Sequence, residues 1–127
     1  MSVAYVDTSC LVAIGFGEPG AERVRRRLQA CDRLFASNLL EAELTAAFCR
    51  EDVRMDGPLS SWITWVYPNR SLAPEYQRIL ANGYVRGADL WHLACALFLS
   101  PDPVHIGFFT LDQRQNQVAA ALGFRSL

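Results

Sequence analysis

The stretch AYVDTS, residues 4–9, ends an apolar, strand-like run with an aspartate and two hydroxyl residues. The run SVAYV (2–6) predicts a first strand, and TSCLVAIGFG (8–17) predicts a short helix or turn closed by glycines. Ligands of open α/β sheets gather at the carboxyl ends of the strands. Asp7 therefore indicates a functional site if other acids occupy similar places further along the chain.

Strand-like and helix-like segments alternate after this stretch. They are predicted, in order, as a helix (18–30), a strand (33–37), a helix with Asn38 as its N-cap (38–52), a short helix followed by a β-rich run (57–68), two helices broken around Gly83–Gly87 (73–99), a strand (104–110), a helix ended by Gly123 (111–123) and a candidate edge strand (124–127). This alternation predicts an α/β fold in which a parallel sheet is covered by helices on both faces.

Length and composition fit one globular domain over residues 1–127. The formal net charge is −1, so any binding to nucleic acid must come from a local basic patch. All twelve basic residues are arginine, and the absence of lysine excludes a Walker A motif, a lysine Schiff base and a receiver-type phospho-aspartate site.

The four cysteines stand apart from one another, at positions 10, 31, 49 and 95. Without a C-x-x-C pair they are expected to be buried free thiols in a reducing compartment. No apolar stretch reaches transmembrane length, and no signal peptide precedes the first strand. We therefore expect a soluble, cytoplasmic protein.

Four acids lie in apolar surroundings, whereas most of the others lie among polar or turn residues. Asp7 and Asp112 each follow a predicted strand, so they are expected at one end of the sheet, and Asp89 begins an apolar helix. On the helix 38–52, the period of about 100° per residue puts Glu43 on the buried stripe and Glu41 nearer its edge. Glu43 is therefore the choice of the two and Glu41 the fallback.

Each of these acids also has a structural interpretation. Asp7, Asp89 and Asp112 are in positions where an acid caps a helix or stabilises its first turn, and Asp112 with Gln115 forms a D-x-x-Q capping pattern. Capping and catalysis can coexist in one residue. Carboxylates brought together without a cation repel one another, and a site made only of carboxylates suits Mg²⁺ or Mn²⁺ rather than Zn²⁺.

Four segments together resemble the PIN domain, and in particular the VapC-type ribonuclease toxins of bacterial toxin–antitoxin pairs. They are VDTSCLVA (6–13), NLLEAELTAAF (38–48), RGADLWHLACAL (86–97) and FFTLDQRQNQVAAALGF (108–124), and they come in the order found in the family. The resemblance implies a three-layer α/β/α sandwich with a mostly parallel sheet. It also implies a cytoplasmic, metal-dependent endoribonuclease that forms a homodimer and is neutralised by a small DNA-binding antitoxin.

The resemblance also implies roles for single residues. By position it assigns catalysis and metal binding to four acids: Asp7, Glu43, Asp89 and Asp112. Thr8 or Ser9, together with Thr110, match hydroxyl positions beside the acids, and Asn116 matches a site that is often polar in relatives. Arg86 and Arg114 lie close in sequence to two of the acids and are expected to contact the RNA substrate.

Other interpretations remain open from the sequence. A metal-dependent phosphatase is one, although DTS lacks the second aspartate of a D-x-D phosphatase loop, and a catalytically silent interaction module is another. His92 is considered as a general base, but one turn after Asp89 it is expected to be a packed or hydrogen-bonded helix residue. The run Arg23–Arg27 is interpreted either as a solvated helix face or as a contact surface for phosphates.

Overall fold

A computed structural model describes residues 2–54 and 61–127. The strands are β1 (Val3–Val6), β2 (Arg33–Ser37), β3 (Ile63–Val66) and β4 (Gly107–Phe109). The α-helices are α1 (Thr8–Gly15), α2 (Ala21–Gln29), α3 (Asn38–Arg50), α4 (Ala73–Leu80), α5 (Gly87–Leu99) and α6 (Gln113–Leu122), and a short 3-10 helix covers Pro103–His105. No helix in these two ranges has the length and apolarity needed to cross a membrane.

The four strands form one parallel sheet in the order β3-β2-β1-β4. The central strand β1 pairs with β2 through Val3 and Arg33 and with β4 through Val6 and Phe109. Because parallel strands need crossover connections, helices separate consecutive strands. The predicted parallel arrangement is confirmed.

Alternation of side chains along β1 divides the core into two parts. Ala4 and Val6 belong to a cluster with the apolar faces of α1, α2 and α3. Tyr5 points to the other face, into a cluster formed with α4, α5 and α6. Helices therefore cover both faces of the sheet, and the predicted three-layer α/β/α sandwich is confirmed.

Two predicted segment boundaries are wrong. The strand predicted over 104–110 is limited to Gly107–Phe109, because Pro103 starts the 3-10 helix and Asp102 caps it by accepting a hydrogen bond from the Val104 amide over 3.2 Å. The candidate edge strand 124–127 forms only a single bridge, between Gly107 and Arg125.

The N-cap of α3 is Ser37 instead of the predicted Asn38. Ser37 has an extended backbone, and its hydroxyl accepts a hydrogen bond from the Leu39 amide over 3.3 Å. Trp91 Nε1 also donates to this hydroxyl, over 3.0 Å, so the cap links α3 to α5.

The cysteines are free, as expected, but they are not all buried. Cys10 and Cys95 lie in the two cores, and burial raises the pKa of each thiol to about 12, which leaves both as unreactive thiols. Cys31 is half-buried and Cys49 is exposed, because Cys49 falls on the outer face of α3.

The segment between α3 and α4 contributes β3. Trp62 and Trp65 pack against the cluster beneath α1, α2 and α3, whereas Tyr67 is exposed. The short helix predicted within 57–68 falls mostly outside the described residues.

Candidate active site

The carboxyl ends of β1 and β4 meet at one edge of the sheet. Val6 pairs with Phe109, and the amide of Asp7 continues the ladder by donating to the Phe109 carbonyl over 2.8 Å. Asp7 follows β1 directly, and Thr110 and Asp112 follow β4. The register of the sheet thus brings the residues after both strands to the same edge.

Asp7 is buried and is held through one carboxylate oxygen. Its Oδ2 accepts hydrogen bonds from the Ser9 amide at 3.2 Å, the Ser9 hydroxyl at 2.8 Å and the Thr110 hydroxyl at 3.2 Å. The bond from the Ser9 amide makes Asp7 the N-cap of α1, so the capping interpretation is confirmed. The other oxygen, Oδ1, lies 3.8 Å from His92 Nε2. Asp7 therefore caps the helix through Oδ2 and faces the site through Oδ1.

Glu43 is half-buried on α3 and is also held through one oxygen. Its Oε1 accepts a hydrogen bond from the Thr8 hydroxyl at 2.8 Å and lies 2.8 Å from His92 Nε2. The hydrogen bond with His92 lowers the pKa of Glu43, and the bond from Thr8 lowers it further, which outweighs the opposing effect of burial. Glu41, the fallback, is exposed. The helical period thus identified the acid of α3 that faces the interior.

Asp89 is an acid whose pKa is raised in the folded protein. It lies in the first turn of α5, half-buried, and its pKa is raised first by burial and then by the negative charges of Asp7 and Asp112. His92 and Arg86 offset part of this increase. A carboxylate feels other charges in this way only when they are close. Asp7, Asp89 and Asp112 therefore share one electrostatic environment.

Asp112 is exposed and begins α6. Its Oδ1 accepts a hydrogen bond from the Gln115 amide over 2.7 Å, so the predicted D-x-x-Q pattern does cap the helix. The amide of Asp112 in turn donates to the Thr110 hydroxyl over 3.1 Å. This turn connects Asp112 to the same hydroxyl that contacts Asp7.

Gln115 is a buried polar residue whose structural role the sequence did not reveal. Its side chain lies 2.7 Å from the Thr110 hydroxyl through Oε1, and its Nε2 donates to the Asp89 backbone carbonyl over 3.3 Å. Gln115 thereby ties α6 to the end of β4 and to the start of α5. The D-x-x-Q pattern singled it out only as a capping partner.

His92 is buried and hydrogen-bonded. The sequence predicts this packed position for it rather than a role as general base. Its two ring nitrogens contact the Tyr5 hydroxyl and Glu43. Tyr5, in the middle of β1, gave no functional signal in the sequence because it is one apolar residue of a strand-like run.

The residues predicted to contact substrate lie around these acids. Arg86 is the exposed N-cap of α5, and Arg114 is exposed on α6, where its Nε donates to the Tyr84 carbonyl over 2.9 Å. Asn116 is half-buried one turn into α6. The hydroxyls of three further candidates, Thr8, Ser9 and Thr110, make hydrogen bonds to the acids. For all six residues, contact with substrate stays a prediction.

No group of three or more His, Cys, Asp or Glu side chains in residues 2–54 and 61–127 is arranged closely enough to hold a metal ion as it stands. The donor chemistry nevertheless suits a hard divalent cation, because the acids supply carboxylate oxygens. Burial and, after it, the charges of Asp7 and Asp112 raise the pKa of Asp89, and a cation at the site would offset both effects. The four acids thus fit such an ion in chemistry, and coordination would require their side chains to move closer together.

Comparison with known protein families finds a match. The family model of the PIN domain matches residues 4–121, a range that includes all four acids. No curated protein matches the sequence.

Proposed function

The chain belongs to the PIN domain family, and from this membership we propose that it is a Mg²⁺- or Mn²⁺-dependent endoribonuclease. The family points to a metal-dependent nuclease acting on nucleic acid. The observation that carries the proposal is the convergence of three acids from separate elements around Thr110: its hydroxyl contacts the Asp7 carboxylate and the Asp112 amide, and Gln115 links it to the Asp89 carbonyl.

In this proposal Asp7, Asp89 and Asp112 would hold the metal, with Glu43 as a direct or water-mediated ligand. A bound divalent cation activates water for attack on a phosphodiester and neutralises the charge that develops on the phosphate. The protein would keep the acids oriented through its hydroxyl groups: Ser9 and Thr110 hold one oxygen of Asp7, and Thr8 holds one oxygen of Glu43. The other oxygen of each acid is then directed to the reaction.

The substrate would be guided by positive charge beside the acids. Arg86 and Arg114 are exposed at the starts of α5 and α6, the same helices that carry Asp89 and follow Asp112. Guanidinium groups in these positions suit the phosphates on either side of the scissile bond. Tyr84 is 67% exposed, and its carbonyl is held by Arg114. An aromatic side chain next to basic groups is typical of sites that bind single-stranded nucleic acid.

The biological role proposed is that of a VapC-type toxin. Its support is the resemblance of four sequence segments to that group, and this role includes a small DNA-binding antitoxin that covers the acids, a homodimeric state and a cytoplasmic location. Co-expression with the product of a neighbouring small open reading frame tests it: the two proteins should copurify, and RNA cleavage should be suppressed.

The test of the catalytic proposal is the substitution Asp7→Asn. Asparagine is also a good N-cap, so the variant should keep α1 and its fold, while RNA cleavage with Mn²⁺ should fall on the order of 100-fold or more. Cleavage is measured on a labelled single-stranded RNA. A parent protein that hydrolyses phosphomonoesters but no RNA would support the phosphatase interpretation instead.

The matched control is Glu41→Gln, which removes one carboxylate from the exposed part of α3 two residues before Glu43. It should cleave RNA at the rate of the parent. Equal rates for Asp7→Asn and the parent would exclude the role proposed for Asp7.

A further inference from the structure

A chain of three side chains runs from the centre of the sheet to the acids. The Tyr5 hydroxyl lies 2.7 Å from His92 Nδ1, and His92 Nε2 lies 2.8 Å from Glu43 Oε1. Tyr5 and His92 are almost fully buried. The Tyr5 ring stacks on Phe108 with an interplanar angle of 6°, so its hydroxyl is held in a fixed direction.

The hydrogen bonds around Tyr5 indicate the direction of donation along this chain. The Ser37 amide donates to the Tyr5 oxygen over 3.3 Å, which uses one acceptor position of that oxygen. A phenol has an ordinary pKa of about 10, so the Tyr5 hydroxyl carries its hydrogen at neutral pH. A buried hydroxyl hydrogen needs an acceptor, and His92 Nδ1 lies in hydrogen-bonding range. The imidazole hydrogen is then on Nε2, where it is donated to Glu43.

This direction of donation has a consequence for Glu43. Its Oε1 receives two hydrogen bonds, one from His92 Nε2 and one from the Thr8 hydroxyl. Among the hydrogen bonds of the described residues, Oε2 takes part in none. The carboxylate is thus fixed through one oxygen, and the other is available.

We propose that Tyr5 and His92 are positioning residues, which together hold Glu43 with Oε1 bound inside the protein and Oε2 turned to the metal and substrate. Tyr5 fixes the imidazole with its hydrogen on Nε2, and the imidazole fixes the carboxylate. Groups behind the ligands of a metal site commonly orient those ligands in this manner. The proposal rests on the nuclease function for its effect on catalysis, but the hydrogen positions can be tested without any activity.

The first test is nitrogen NMR of the imidazole rings in the ¹⁵N-labelled protein. The chain has only two histidines, and the side chain of His105 is 74% exposed, so its ring serves as an internal reference. The His92 signals, identified by their loss in His92→Gln, should show a hydrogen-bearing Nε2 and an acceptor Nδ1. In Tyr5→Phe the Nδ1 signal should shift, because this nitrogen loses its hydrogen-bond donor, while Nε2 keeps the hydrogen that it donates to Glu43. A hydrogen on Nδ1 in the parent, or an unchanged Nδ1 signal in Tyr5→Phe, would overturn the proposal.

The second test compares kinetic constants. Tyr5→Phe should lower kcat for RNA cleavage by roughly 10- to 100-fold, because outer groups at metal sites have effects of this size. KM should stay within about twofold. Arg86 and Arg114 are unchanged in this variant, so the interactions that bind substrate equally in the ground state and the transition state are kept. Tyr76→Phe is the matched control: Tyr76 packs against the same core from α4, away from Glu43, and its variant should behave as the parent does.

A pair of variants at His92 separates positioning from packing. His92→Gln keeps an N–H donor that can reach Glu43, whereas His92→Leu fills similar space without one. Glutamine should therefore retain more activity than leucine at equal melting temperature. Equal kcat in both would contradict the positioning role. If the parent cleaves no RNA but the NMR pattern is the expected one, the nuclease proposal fails and the orientation of Glu43 stands.

Discussion

At the scale of single residues, two acids of the site have opposite electrostatic environments. Glu43 accepts hydrogen bonds from His92 and Thr8, which lower its pKa, whereas burial and the charges of Asp7 and Asp112 raise the pKa of Asp89. The folded protein therefore binds a proton at Asp89 more tightly than the unfolded chain does. By linkage, the ionised Asp89 side chain reduces stability as the pH rises through its folded pKa.

The direction of this pKa shift predicts that Asp89→Asn stabilises the protein when no divalent ions are present. At pH 7 the variant should melt at a higher temperature than the parent, because a repelled charge has been removed. The difference should disappear as the pH falls below the ordinary aspartate pKa of about 4, where Asp89 is protonated in both states. Thermal melts from pH 3 to pH 8 measure it.

Added Mn²⁺ should reverse the order of the two proteins. The ion stabilises the state that binds it, so the parent should gain more in melting temperature than Asp89→Asn. If Asp89→Asn melts below the parent at pH 7 in the presence of a chelator, the Asp89 carboxylate stabilises the fold instead of destabilising it, and the prediction is wrong.

The sequence singled out the four acids as candidates but not the residues that hydrogen-bond to them. The helical period separates Glu43 from Glu41 because burial follows the period. The partners of Glu43 lie 35 and 49 positions away, at Thr8 and His92, and no local pattern relates residues so distant. Gln115 was missed as a link between α5 and α6 for the same reason, since its bond to Asp89 spans 26 positions.

At the scale of elements, acids of the site also begin helices. Asp7 caps α1 and Asp112 caps α6, so strand ends and helix starts coincide at these two positions. An acid there is favoured by the free amides and the dipole of the following helix. The fold thus tolerates carboxylates at the edge where catalysis would need them.

Two substitutions of Asp112 separate these roles. Asp112→Asn keeps a good N-cap and should leave the free energy of unfolding nearly unchanged, whereas Asp112→Ala removes the cap and should lower it by about 1 kcal/mol. Both should lose most RNA cleavage with Mn²⁺, because neither supplies a carboxylate. Urea denaturation and the cleavage assay measure the two effects. Full activity in Asp112→Asn would leave Asp112 with capping alone.

Local sequence signals predicted most helices and strands. They failed where neighbouring residues favour a different local structure. Gly123 ends α6 with a φ of 108°, as its left-handed preference predicts. The apolar run 104–110 has the composition of a strand, but Asp102 and Pro103 give its first residues a better alternative in a capped 3-10 helix. At α3, Ser37 caps the helix although the adjacent Asn38 is also a capping residue, because the hydroxyl of Ser37 is also bonded by Trp91.

At the scale of the whole molecule, the parallel sheet places the acids at one end and leaves the other end to different residues. The alternation of strands and helices along the sequence predicts a parallel sheet with both faces covered. The strand order β3-β2-β1-β4, however, depends on pairing between distant segments. That order puts β1 beside β4, and thereby Asp7 beside Thr110. Net charge is −1, so the molecule as a whole does not attract nucleic acid, and under the proposed function local arginines would have to do so.

Arg27 of α2 has different surroundings from the arginines beside the acids. Arg27 stacks over Phe109, lies 3.5 Å from the Ser126 carbonyl and lines a cavity with Val3 and Arg125 at the start of β1. Val3 is the first residue of β1 and Asp7 follows its last, so this cavity reaches the amino end of the strand. For Arg27 the structure therefore favours a packing role over contact with phosphates near the site.

The salt dependence of RNA binding tests this division. In the Asp7→Asn background, which binds without cutting, Arg114→Gln should reduce the slope of log affinity against log salt by about one, because one phosphate contact is lost. Arg27→Gln removes the same charge from the opposite end of β1 and should leave the slope unchanged. Each arginine makes a described contact with a backbone carbonyl, so the pair is matched in structure as well as in charge. Fluorescence anisotropy with a labelled single-stranded RNA at several salt concentrations measures both slopes. A reduced slope for Arg27→Gln alone would move the RNA path to α2 and away from the acids.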